Sequence, residues 1–111
     1  MRFVPTLIHG IADYTVGAGM ILLAFITGAN GAGFYAFLLL GLFAIVYALA
    51  TDYELGWKPM LTMPAHLAFD AGFAVVMLAL PLLFSLPAVL VWASIAIAFM
   101  AAMLLATTKT G

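Results

Sequence analysis

The residues able to do chemistry are two histidines and two aspartates arranged as matched units, His9 with Asp13 and His66 with Asp70. In each unit the aspartate follows four positions after the histidine, so on a helix both fall on one face. Three kinds of chemistry suit such a set. Each histidine can donate to the aspartate one turn further in, and two such pairs facing each other lock helices together through contacts of about 0.6–2 kcal/mol. Two imidazoles and two carboxylates are also the ligand types for a proton or a divalent cation, and would support transport of one. A third arrangement uses His9 and His66 as axial ligands of a b-type haem, each ring oriented by its aspartate. Locking asks least of the rest of the chain. Transport needs polar groups continuing to the opposite side, where only Thr27, Ser85 and Ser94 are available. Haem needs cations for its propionates, and few are present, so no cofactor is expected.

What must position these groups is a set of membrane-spanning helices. A chain that is 68% hydrophobic and 6% charged over 111 residues cannot solvate its own surface, because a soluble domain carries roughly a quarter of its residues charged. Crossing a hydrocarbon core of about 30 Å takes roughly 20 helical residues. Four stretches meet that requirement, about 4–27, 33–51, 63–84 and 87–107. They are too long and too continuously apolar for barrel strands, and a lipid-exposed backbone must satisfy its own hydrogen bonds, so the expected form is helical. The whole chain, 1–111, then reads as a single all-α membrane domain of four transmembrane helices.

Charged residues set the orientation. Arg2, Lys58 and Lys109 fall at the amino terminus, the middle loop 52–62 and the carboxyl terminus, which four spans place on one side. The opposite loops, near Asn30 and near Ser85, carry no Lys or Arg, so the positive-inside rule puts both termini in the cytoplasm. Trp57, Lys58 and Trp92 are of the types that anchor at the headgroup level. Thr51, Asp52 and Tyr53, arriving at the depth of the His/Asp units, are expected to contact them. Small residues suggest close helix packing: Gly17, Ala24 and Gly28 below Asp13, the row Gly41, Ala44 and Ala48, and the row Ser94, Ala98, Ala102 and Ala106. Thr62 followed by Pro64 reads as a helix cap, and Pro81 as a kink or a break in the hydrogen-bond ladder.

Several function classes lose their basis. The chain has no cysteine, which removes disulfides, thiolate metal sites and cysteine nucleophiles. A net charge of −1 lacks the basic face that nucleic-acid binding requires. The glycine-rich 27–33 segment follows no strand and lacks a Walker lysine, and no nucleophile with a base and no HExxH motif occurs, so an enzyme is not expected.

The interval from His9 to His66 is also that from Asp13 to Asp70, and it brings Leu49-Ala50-Thr51 within one residue of Leu105-Ala106-Thr107. The chain therefore reads as two tandem helical hairpins, about 4–51 and 63–107, forming a parallel pseudo-repeat with its twofold axis along the membrane normal. The runs TDYELG and MPAHLAFDAGF, with IHGIADYTVGAG in the first half, resemble the SPW-repeat family of small bacterial membrane proteins across nearly the whole chain. Leu80-Pro81-Leu82 stands where that family has Ser-Pro-Trp, and Leu23-Ala24-Phe25 stands in the first half. The resemblance implies this fold in a bacterial cytoplasmic membrane, and it brings no activity with it. The expected role is that of a structural or accessory module, with the bilayer and a larger membrane complex or further copies of the chain as partners.

Overall fold

The computed structural model describes residues 2–28 and 31–109. Four helices follow one another: α1 (Thr6–Ile26), α2 (Gly31–Leu49), α3 (Met63–Leu83) and α4 (Ala88–Thr107). All four are long and apolar enough to cross a membrane, which makes the chain a multi-pass membrane protein. Their outward faces agree with that solvent: Ile26, Leu82, Leu83, Trp92, Phe99 and Met103 are all largely exposed on the bundle exterior. Asn30, where the first interhelical turn was expected, lies outside the described residues.

The helices begin where local chemistry predicts. Thr62 caps α3 by accepting from the Ala65 N–H at 3.3 Å, with Pro64 in the first turn. Pro5 and Pro87 occupy the cap positions of α1 and α4, one residue before each helix. Pro81 breaks the hydrogen-bond ladder locally without ending the helix, since α3 continues to Leu83. Proline deprives the carbonyl four residues back of its donor, and that carbonyl, Met77 O, accepts from the buried Ser94 hydroxyl of α4 instead.

Within each hairpin the helices pack intimately. Gly17 and Gly41 meet backbone to backbone, as a Cβ built on Gly41 would lie 2.8 Å from Gly17 O. Phe37, Met20, Met77, Leu90 and Ala98 fill the apolar core. On α4 the expected row holds only in part: Ser94 and Ala98 are buried, but Ala102 and Ala106 are exposed. Four residues turn a helix roughly 40° past one revolution, so a strict interval of four rotates off a flat contact face. On α1, Gly17 and Ala24 are buried as expected, while Gly28 lies beyond the helix with a positive φ of 68°.

The segments before α1, between α2 and α3 and after α4 meet at one end of the bundle. Val4 pairs with Thr108 and Thr51 with Leu61 in two isolated parallel bridges. Arg2 reaches the carbonyls of Leu105 and Thr108 at 3.0 and 2.9 Å. The loop after α2 folds back over α1: Leu55 sits on Gly10, Tyr14 donates to Leu55 O at 2.7 Å, and Thr6 donates to Glu54 at 2.6 Å. Gly56 is required in that loop, because a Cβ there would collide with Thr51 O.

Candidate functional site

His9, Asp13, His66 and Asp70 converge into a single buried cluster, with one ligand-capable atom of each lying within 4.8 Å of all the others. Both histidines are fully buried and the aspartates nearly so. The cluster sits about two helical turns inside the end of the bundle where the termini and the 51–61 segment gather, since Asp13 and Asp70 lie eight residues into their helices at roughly 1.5 Å each.

The expectation that each histidine serves the aspartate of its own helix is corrected by the geometry. His9 Nε2 lies 2.9 Å from Asp70 Oδ2 but 3.3 Å from Asp13 Oδ1. His66 Nε2 lies 2.9 Å from Asp13 Oδ2 but 3.5 Å from Asp70 Oδ2. The shorter contact crosses from one helix to the other in both cases. The i to i+4 relation places two side chains on one face but a turn apart along the axis, and the nearer carboxylate comes from the facing helix.

Each of the four is held from outside the cluster. His66 Nδ1 is 2.6 Å from Thr51 Oγ1, and His9 Nδ1 is 2.7 Å from Thr108 Oγ1. Tyr47 donates to Asp70 Oδ1 at 2.7 Å and Tyr53 to Asp13 Oδ2 at 2.8 Å. Thr51 fixes a tautomer. Its single hydroxyl proton goes to Tyr47 O at 2.6 Å, so towards His66 it can only accept, and Nδ1 of that ring carries the hydrogen. In the neutral form of that ring Nε2 is then the nitrogen without a proton, and it faces the cluster. The inner contacts are close in distance but wrong in direction, as His9 Nε2, His66 Nε2 and Asp70 Oδ2 make no hydrogen bond at all. Outside the spans, burial and the adjacent Asp13 carboxylate push the Tyr53 phenol above its ordinary range, which keeps it a donor. At the rim, the Thr6 hydroxyl lowers the Glu54 carboxyl below its usual value.

Of the expected loop contacts, Thr51 and Tyr53 reach the cluster. Asp52 does not; its side chain is exposed and its backbone N–H bonds Leu61 O at 2.7 Å. Trp57 and Trp92 are exposed, and Lys58 lies 5.1 Å over the Trp57 ring, an arrangement suited to a headgroup layer. Two supporting residues escaped the sequence reading, Tyr47 and Thr108. Thr108 carried a signal, since the interval from His9 to His66 leads from Thr51 to Thr108, and also from Val4 to Leu61. Tyr47 carried none beyond a polar tip on an apolar helix.

Deeper in the bundle the one buried polar side chain among the described residues is Ser94, already committed to Met77 O. The adjoining cavity, between Asp13, Asp70, Tyr47 and the apolar Val16, Phe73 and Leu104, measures about 20 Å³, room for one water-sized group. The core then continues as Met20, Phe37, Met77 and Leu90. The two imidazole rings stand edge to face with centroids 5.0 Å apart, which leaves no slot for a macrocycle between them.

No protein-family model, curated protein or solved structure gives a significant match to the chain. The resemblance to the SPW-repeat family draws no support from these comparisons.

Proposed function

We propose that this protein is a structural or accessory membrane module in which two helical hairpins, related as a tandem parallel repeat, are clasped together by His9, Asp13, His66 and Asp70. The observation that carries this reading is that the closest imidazole–carboxylate contacts, both 2.9 Å, run between hairpins and exceed in closeness those within a helix. The outer contacts follow the same rule: α1 is tied to the chain after α4 through His9 and Thr108, and α3 to the chain after α2 through His66 and Thr51. A pseudo-twofold axis along the membrane normal accounts for the equal intervals separating these partners. The end that gathers Arg2, Lys58 and Lys109 faces the cytoplasm by the positive-inside rule, in a bacterial cytoplasmic membrane if the SPW-like motifs guide the assignment. Transport through the cluster is the weaker reading, because the apolar core beyond it offers no continuing polar route.

Two measurements test the proposal. In a double-mutant cycle, His9→Gln with Asp70→Asn should show a coupling of about 1 kcal/mol or more and larger than His9→Gln with Asp13→Asn. Equal or reversed couplings would remove the clasp. Native mass spectrometry on protein gently extracted from its membrane should show other polypeptides or whole multiples of the 11.7 kDa chain. A bare monomer would remove the accessory role.

A further inference from the structure

The geometry points to a divalent metal site at the centre of the clasp, with His9 Nε2, His66 Nε2 and one carboxylate oxygen each of Asp13 and Asp70 as ligands to an ion of the zinc class. The inference goes beyond fastening, because it asks what lies between groups that do not hydrogen-bond one another. With Nδ1 of His66 committed to Thr51, Nε2 is the nitrogen that faces Asp13 Oδ2, only 2.9 Å away. A cation between them turns the same contact into two shared bonds.

Size agrees. A four-coordinate ion with bonds of about 2.0–2.1 Å sets neighbouring ligand atoms about 3.3 Å apart in a tetrahedron, and closer when flattened. Asp70 Oδ2 lies 2.9 and 3.5 Å from the two Nε2 atoms, Asp13 lies 2.9 Å from His66 through Oδ2 and 3.3 Å from His9 through Oδ1, and the two imidazoles alternate with the two carboxylates. The supports are those a metal site uses: each histidine's other nitrogen meets a threonine hydroxyl, and each carboxylate accepts from a tyrosine. Asp70 divides its oxygens, Oδ1 to Tyr47 and Oδ2 unpartnered and turned to the centre. Charge balances as well, since two carboxylates and two neutral imidazoles neutralise one divalent ion in a medium that penalises net charge. Imidazole ligands favour zinc-class first-row ions, whereas magnesium and calcium take oxygen.

The test uses the whole chain in detergent, stripped with a chelator and then titrated with Zn2+ against a chromogenic competitor, with Mg2+ and Ca2+ in parallel. One zinc per chain is expected, with no competition from the other two ions, and Co2+ in place of zinc should give the intense visible absorption of a four-coordinate site. Asp70→Asn should abolish stoichiometric binding. Because that variant could also loosen the bundle, Thr51→Val is measured beside it: losing the acceptor behind His66 should weaken zinc affinity by roughly 10–100-fold. Thr51→Ser, which keeps the oxygen, should restore it. The site is overturned if the folded wild-type chain takes up well under one zinc, or if Thr51→Val and Asp70→Asn bind zinc as the wild type does.

Discussion

In the first hairpin α1 and α2 cross on glycine; in the second α3 and α4 are joined by a hydroxyl. At the first crossing Gly17 and Gly41 bring two backbones so close that neither tolerates a Cβ without displacement of Ile45 or of the opposing carbonyl. At the corresponding level of the second stand Ala74 and Ala98, both buried, and Ser94 bonds across to Met77 O. The difference follows from Pro81. A proline inside α3 frees the Met77 carbonyl, and in lipid a freed carbonyl must find a donor, so the neighbouring helix supplies one where the first hairpin has the apolar Phe37. The carboxylates show a similar asymmetry. Asp70 is held by Tyr47 from within α2, but α4 presents Leu104 near Asp13, and Tyr53 from the loop takes over. The two hairpins are thus completed by different side chains.

The contrast can be probed from the strongest effect downward. Gly41→Ala should cost about 1–3 kcal/mol of bundle stability through overpacking against the Gly17 carbonyl, read from thermal or denaturant unfolding in detergent. The counterpart Ala98→Gly should cost about 1 kcal/mol or less, and a reversed order would mean that the glycine crossing is not the tighter one. Next, Ser94→Ala should cost on the order of 1 kcal/mol by orphaning Met77 O. Adding Pro81→Ala should recover most of that loss, because an N–H at position 81 can again serve the Met77 carbonyl. No recovery would break the link between the proline and the serine.

The smallest effect concerns the loop that serves Asp13. A tyrosine raised above its ordinary value of about 10 keeps its proton in the folded chain after the unfolded chain has lost it. Its contribution is therefore intact below about pH 10 and declines as pH rises beyond that. Unfolding measured from pH 9 to pH 11 should show a downward slope in stability that is shallower in Tyr53→Phe. An equal slope in the variant would mean that Tyr53 plays no part in the alkaline loss.

What the sequence by itself determined is the solvent, the four spans and the polar set. Continuous apolar runs of about 20 residues admit only helices in a bilayer, and His9, Asp13, His66 and Asp70 are conspicuous because ionisable side chains are costly there. The alignment of the two halves was read one residue short at its end, where Leu49-Ala50-Thr51 was set beside Leu105-Ala106-Thr107. Only the tertiary structure chose Thr108, which pairs with Val4 and presents its hydroxyl to His9. It likewise turned the histidines towards the opposite hairpin's aspartates, brought in Tyr47 and left Asp52 outside. Helical periodicity states which residues share a face, but the partner of a polar side chain depends on how two faces meet. That is a matter of backbone separation, rotation and the carbonyls left unpaired along the way.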